Sequence, residues 1–345
     1  MSAEGGLAGY RICLTDGGPE FTCMPGDTVL RAALRSGVGL PYECGSGGCG
    51  ACRVQLKSGE LENLWPQAPG LTARSSDRGF RLACQSLPHS DCMITVRAPL
   101  RSGTEQPPRK HAAVLTSKVA LTHDITEFGF LTSNAADFIP GQFALLSLPG
   151  VTGDRAYSMS NLPNEQGLWR FIIKRMVNGA GGRILFDELS IGDSITLDGP
   201  YGLSHLRTDS PRDIVCIAGG SGLSPMLSIL SAAASIEPRE RRLHLFYGGR
   251  RPADLGASAI FASDPLLRER VTCINAISDL SCPDPWDGER GFVHEVARRH
   301  LETENGDPAS NDYYFCGPPA MADAVQSMLF ELKVPVSQMF YDRFV

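Results

Sequence analysis

Residues 41–56 read PYECGSGGCGACRVQL, and residues 81–85 read RLACQ. Cys44, Cys49 and Cys52 are spaced C-x4-C-x2-C, and Cys84 stands alone downstream. This is the plant-type [2Fe–2S] spacing, in which four thiolates converge on two irons. Three ligands come from one tight loop and the fourth from a separate strand, so the loop must curl. Gly45, Gly47, Gly48 and Gly50 allow the curl, because glycine accepts positive φ and close backbone approach. Backbone N–H groups aimed at the sulfurs then tune an anionic cluster. A structural zinc site is the alternative. Zinc favours two C-x-x-C-like pairs, whereas four residues separate the first pair here.

The flanks of this loop read as a small domain. YRICLT and FTCMP form a hairpin across Asp16-Gly17-Gly18. Asp27 is placed to cap a helix running to about Ser36, with Val29, Leu30, Ala33 and Leu34 on one face. CRVQL, FRLACQ and CMITVRA are strand-like. Together these predict a β-grasp ferredoxin domain over residues 8–98. Residues 99–111 hold prolines and mixed charge without periodicity and read as a linker.

Two further patterns follow. Residues 112–208 carry short strand-like runs separated by turn residues, with one helical stretch from Gly182 to Leu189; this predicts an antiparallel β-barrel. Residues 209–345 alternate strands and helices, which predicts a doubly wound parallel sheet with ligands at the strand carboxyl ends. A chain of 345 residues accommodates such a multidomain α+β and α/β arrangement.

Composition excludes other classes. A net charge of −6 argues against a nucleic-acid partner held through phosphates. No apolar run is long enough to span a bilayer, and the N-terminus lacks a signal-peptide core. Seven cysteines lie outside the cluster motif without framework spacing, so a reducing cytoplasm is expected. The seven histidines show no metal-ligand spacing.

Five more stretches are candidates for chemistry. Arg155-Ala156-Tyr157-Ser158 offers a guanidinium fork for a pyrophosphate, a flat ring and a small hydroxyl, a set that suits a flavin. Alone, it is a weak signal, and an Arg and a Tyr on a plain strand surface are the commoner reading. Asn178-Gly179-Ala180-Gly181-Gly182 opens a helix, so its amides can meet a phosphate, or it is a plain flexible loop. Gly219-Gly220-Ser221-Gly222-Leu223-Ser224-Pro225 joins a strand to a helix and presents amides to a dinucleotide pyrophosphate, with Pro in the first helical turn. Cys316-Gly317-Pro318-Pro319 holds either a plain buried thiol, the usual case for a lone Cys, or, from its place at the end of an apolar strand, a ligand-facing one. The terminal FYDRFV is either edge packing or a ring over a flavin.

The ferredoxin loop, R-x-Y-S, GGSGLSP and CGPP in one chain resemble the ferredoxin–NADP reductase superfamily with an N-terminal [2Fe–2S] domain, the NADH-dependent reductase components of bacterial oxygenases. The likeness runs from about Tyr10 to Phe344. PYECGSGGCGAC, NLWPQAPGLTAR, LDGPYGLS, YFCGPP and FYDRF are especially similar to reductases of toluene-oxidising and related diiron monooxygenases. The resemblance implies FAD, NADH and a [2Fe–2S] cluster as cofactors. It implies that Arg155, Ala156, Tyr157 and Ser158 bind FAD, with Ser158 near N5, and that Gly179, Gly181 and Gly182 hold its pyrophosphate. The family usually has Ser where Gly182 stands. Gly220, Gly222 and Pro225 match the nicotinamide-nucleotide loop, and Lys174, Arg250, Gly317 and Pro318 join the cofactor-binding set. Ser158, Cys316 and Phe344 are the implied catalytic residues, Cys316 near the nicotinamide and Phe344 over the flavin. Arg250 permits a 2′-phosphate, but similar NADH-using members carry Arg there too. The implied function is a hydride taken from NADH onto FAD, with electrons passed singly through the cluster to an oxygenase hydroxylase component, directly or through a Rieske-type ferredoxin. A monomer is expected, with an acceptor-facing rim near Tyr42, Glu43 and Ser46. A reductase serving a deoxysugar dehydratase, or an iron–sulfur redox sensor without turnover, are the alternatives.

Overall fold

The computed structural model describes residues 9–101, 106–236, 241–303 and 307–342, and the chain divides into two compact units. In the first, strands Tyr10–Leu14 and Glu20–Cys23 pair across a turn in which Asp16 and Gly17 take φ of 61° and 71°. The five-stranded sheet runs in the order Glu20–Cys23, Tyr10–Leu14, Cys92–Val96, Arg53–Ser58, Phe80–Leu82. Tyr10–Leu14 and Cys92–Val96 pair in parallel; the other neighbours are antiparallel. Helix Val29–Arg35 buries Val29, Leu30, Ala32, Ala33 and Leu34.

The cap of that helix differs from expectation. Thr28, not Asp27, is the N-cap: its extended backbone aims the hydroxyl at the Arg31 amide, 3.4 Å away. Asp27 is buried and instead accepts from Arg35 Nε at 2.8 Å, tying the helix start to its last turn. Cys84 also differs. The strand ends at Leu82, and Cys84 sits on the one-turn 3-10 helix Ala83–Gln85.

The second unit holds a six-stranded antiparallel sheet in the order Arg155–Ser158, Phe143–Ser147, Ser194–Tyr201, Arg109–Ala120, Ile125–Thr132, Leu168–Lys174. Its edge strands meet at a Met159–Phe171 bridge, which closes the sheet into a near-barrel. Phe128, Phe130, Phe138, Trp169 and Phe171 fill the interior. Strand Arg109–Ala120 starts inside the stretch read as linker, directly after Pro108. The helical stretch starts earlier than Gly182: an α-turn at Ala180–Arg183 widens into a π-turn at Ile184–Glu188.

The parallel sheet runs Glu289–Arg290, Val271–Ile277, Leu243–Gly249, Asp213–Gly219, Asn311–Cys316, Met339–Phe340. Chain order proceeds outward from Asp213–Gly219 in one direction, then returns to its other side with Asn311–Cys316. The switch point therefore lies between these two strands, where such sheets open a crevice. Helix Leu223–Ser235 follows the first, and helix Pro319–Glu331 the second. No described helix is long and apolar enough to cross a membrane.

Candidate functional site

In the first unit the four predicted cysteines come together as two pairs. Cys52 Sγ lies 3.3 Å from Cys84 Sγ, and Cys44 pairs with Cys49 through their side chains. Two pairs fit two irons with two thiolates each. Among the described residues no set of three or more His, Cys, Asp or Glu closes on one ion. The Ser46 and Cys49 amides donate to Cys44 Sγ, and the Ala51 amide to Cys49 Sγ, each at 3.4 Å. These amides fit an anionic cluster. In each pair one thiol is held down by its partner: Cys49 and the loop amides bring Cys44 to about 4 against opposing burial, and Cys84 lowers Cys52.

The loop's curl depends on specific glycines. Gly45, Gly47 and Gly50 take φ of 63°, 98° and 77°. A Cβ on Gly50 would stand 2.6 Å from the Gly70 carbonyl oxygen, and one on Gly47 would stand 3.0 Å from the Trp65 ring. Cys44, Cys52 and Cys84 are buried, while Cys49 is partly exposed. Tyr42, expected at an exposed rim, is only 7% exposed and packs into the core; Glu43 is exposed and Ser46 half-buried.

In the second unit the flavin motifs meet. Strand Arg155–Ser158 pairs with Phe143–Ser147, so Arg155 and Tyr157 share one face and Ala156 and Ser158 the other. A Cβ on Gly181 would stand 3.3 Å from Arg155 Cγ and 3.4 Å from Tyr157 Oη, so the glycine turn packs directly against these two side chains. Gly179 caps the short helix, and its carbonyl accepts from the Arg183 amide at 3.0 Å. The first-turn amides of Ala180, Gly181 and Gly182 precede that bond, as a phosphate cradle requires. Arg155 Nη1 donates to the carbonyls of Thr152, Gly153 and Asp154 at 3.1–3.3 Å, which fixes the guanidinium. Burial pushes the Tyr157 phenol up to about 12, with Arg155 opposing, so the ring stays neutral. This arrangement fits a flavin dinucleotide.

The nucleotide motifs meet at the switch point. Gly220–Gly222 forms one 3-10 turn, and Pro225 sits in the first turn of the following helix. A Cβ on Gly222 would fall 1.9 Å from the Cys316 carbonyl oxygen. A Cβ on Gly219 or Gly317 would stand 2.8 Å or 2.5 Å from the Met321 side chain, and one on Gly219 would stand 3.5 Å from Pro318 Cδ. Tyr247 Oη donates to the Gly220 carbonyl at 3.1 Å. Lys174 stands beside Gly220 and pairs with Asp124 at 3.1 Å. Arg250 is exposed at the end of strand Leu243–Gly249, and its amide donates to Asp254 Oδ2 at 3.1 Å. Burial pushes the Cys316 thiol up to about 12, with Asp342 adding to the effect.

Phe344 lies outside the described residues. The aromatics just before it pack at the sheet edge: Phe340 stacks on Tyr314 and Tyr341 on Phe315.

Ser224, in the Gly219–Pro225 motif, reaches strand Arg155–Ser158 through its hydroxyl. It donates to the Ser158 carbonyl at 2.7 Å and accepts from the Ile172 amide at 3.0 Å. Ser228, one turn on, donates to the Asn161 carbonyl at 2.7 Å. Serines on a buried helix face were the available signal.

Comparison with known proteins gives three family matches: the 2Fe-2S iron-sulfur cluster binding domain at residues 14–89, the oxidoreductase FAD-binding domain at 112–205 and the oxidoreductase NAD-binding domain at 216–327. The chain is 40% identical to the ferredoxin–NAD(+) reductase component of the alkene monooxygenase system of Xanthobacter autotrophicus, covering 95% of this chain and 98% of that one. It is 33% identical to the xylene/toluene monooxygenase electron transfer component of Pseudomonas putida, covering 95% and 91%. Among solved structures, the ferredoxin reductase in carbazole 1,9a-dioxygenase matches with a TM-score of 0.88 at 34% identity, covering 97% and 98%.

Proposed function

We propose an electron path on one premise: the chain belongs to the iron–sulfur flavoprotein family of ferredoxin–NAD(+) reductase components of multicomponent oxygenases. It is an oxidoreductase that uses FAD, a nicotinamide nucleotide and a [2Fe–2S] cluster. FAD, when bound, accepts a hydride and releases its electrons singly, and the cluster carries one at a time. The domain limits are read as 8–98, 112–208 and 209–345, joined by 99–111.

The residues divide the work as follows. Arg155 and the amides of the Gly179–Gly182 turn hold the FAD pyrophosphate, Tyr157 packs on the cofactor, and Ser158 faces the flavin. Gly220 and Gly222 admit the nucleotide pyrophosphate, and Cys316 offers a neutral surface beside the nicotinamide. Cys44, Cys49, Cys52 and Cys84 hold the irons. One observation carries this reading: Gly222 lies against the Cys316 backbone at the switch point, while Ser224, two residues on, bonds to the flavin strand.

The electron acceptor is an oxygenase component, reached directly or through a Rieske-type ferredoxin, in a cytoplasm that keeps thiols reduced. NADH is the preferred donor; a relative 40% identical is named for NAD(+). An anaerobic titration tests the whole reading. NADH should bleach the flavin and raise a reduced [2Fe–2S] EPR signal at far lower concentration than NADPH. Absence of bleaching by either nucleotide overturns it.

Two predictions arise here. Arg155→Ala should weaken FAD binding about 10- to 100-fold, the loss of a charge-assisted contact; fluorescence titration of the apoprotein with FAD measures it. The second concerns pH. Since the Cys316 thiol sits near 12, it is neutral throughout pH 6–9. Stopped-flow flavin reduction should show no step in that range that Cys316→Ser removes. A step lost in the variant would give the thiolate a role and refute the neutral-surface assignment.

A further inference from the structure

We propose that Ser224 is a positioning residue that sets the flavin-side strand end from the nucleotide-side loop. The barrel's two edge strands face each other along a seam. Met159 bridges Phe171 there, and the Ser160 amide donates to the Arg170 carbonyl at 2.8 Å. One residue earlier, the same antiparallel register sets the Ser158 carbonyl opposite the Ile172 amide. A side chain spans these two groups. The Ser224 hydroxyl accepts from Ile172 N at 3.0 Å and donates to Ser158 O at 2.7 Å. It braces that rung of the backbone ladder from the side.

Ser224 is 2% exposed, so water does not readily replace it. It lies two residues after Gly222, where an added Cβ would fall 1.9 Å from the Cys316 carbonyl oxygen, and directly before Pro225. Loop, seam and strand end are thus held in register by one hydroxyl. The inference rests on the reading of Ser158 as flavin-facing and of Gly220–Gly222 as nucleotide-binding, and it adds the part that fixes their separation. Without the hydroxyl, both backbone groups lose a buried partner, and the readjustment of the seam shifts Ser158 against the nucleotide loop. A misplacement of about 1 Å can cost on the order of 100-fold in rate.

The test uses the full holoprotein and two readouts. In Ser224→Ala, hydrogen exchange at the Ile172 amide should accelerate, and stopped-flow flavin reduction by saturating NADH should slow by about 10-fold or more with FAD still bound. Ser224→Thr, which keeps a hydroxyl, should recover most of the rate. Ser224→Cys, with a weak donor of similar size, should fall between and serves if the alanine variant does not fold. Ser228→Ala loosens the same helix elsewhere and should leave both readouts near wild type. Unchanged Ile172 exchange in Ser224→Ala overturns the latch. Faster exchange with an unchanged reduction rate overturns the positioning role while the parent reading stands. Equal slowing in Ser224→Ala and Ser228→Ala reduces the effect to general loosening and also overturns it. Wild-type flavin that NADH does not bleach overturns the parent reading itself, while the exchange result still reports on the latch.

Discussion

Gly222→Ala should slow NADH-dependent bleaching of the flavin by more than about 100-fold while the iron–sulfur absorption stays intact. The argument is steric. Gly222 has ordinary helical dihedrals, so backbone strain is not the issue. Its added Cβ would fall 1.9 Å from the Cys316 carbonyl oxygen and 2.4 Å from its carbon. Both partners are backbone, so no side chain can swing aside. The loop and the strand end must separate, costing roughly 3 kcal/mol or more and widening the crevice where the nicotinamide has to lie. Gly220→Ala is the informative contrast. There φ is +57°, but the nearest atom to an added Cβ is Lys174 Cδ at 3.5 Å. It should cost only about 1–2 kcal/mol, the left-handed penalty. Stopped-flow reduction of both variants at saturating NADH, with melting curves, measures the difference. Equal behaviour of the two would refute the contact as the organising feature of the site.

Cys84→Ser should abolish the stable [2Fe–2S] cluster and cut electron delivery to a protein acceptor by more than about 100-fold, while NADH oxidation with ferricyanide stays within about twofold of wild type. Cys84 is buried against Cys52 at 3.3 Å on a single 3-10 turn, with no second thiol positioned to substitute within that turn. A serine hydroxyl ionises far less readily than a thiol, so one iron loses a ligand it cannot replace. Visible circular dichroism, iron content and EPR of the dithionite-reduced variant read the loss directly. A retained rhombic EPR signal with full iron would refute Cys84 as a ligand. Loss of ferricyanide activity as well would mean that the flavin lobe depends on the cluster for folding.

Why some of this was legible beforehand is a matter of range. A cluster motif is a fixed spacing of fixed residue types, so the convergence of Cys44, Cys49, Cys52 and Cys84 into two pairs is legible in the chain. The alternation of apolar runs such as DIVCIAGG and LHLFYGG with amphipathic stretches exposed the parallel sheet. Capping was less legible. Asp27 and Thr28 are both competent caps, and only the dihedrals at Thr28 and the Arg35 partner of Asp27 decide between them. Helices Ala257–Ser263 and Pro265–Arg270 went unread although Asp264-Pro265 carries an N-cap followed by proline at the first helical position. The π-turn at Ile184–Glu188 has no compositional signature. The burial of Tyr42 and the seam at Ser224 depend on residues far apart in sequence, where local pattern is silent.

The loop after strand Leu243–Gly249 has a bearing on how this scaffold could change. Asp254 Oδ2 accepts from the amides of both Arg250 and Arg251, and Arg251 Nε pairs with Asp279 at 3.0 Å. The loop is therefore braced by Asp254 within it and by Ser278 and Asp279 after the neighbouring strand, not by the Gly222–Cys316 contact. In the proposed reading, the ribose end of the nucleotide is selected at this separately braced turn and the nicotinamide end is aligned at the switch point. Donor preference and reaction geometry then become separable traits. A lineage, or a designer, can exchange residues around Arg250 to favour one pyridine nucleotide over the other while leaving the alignment of the reacting rings untouched.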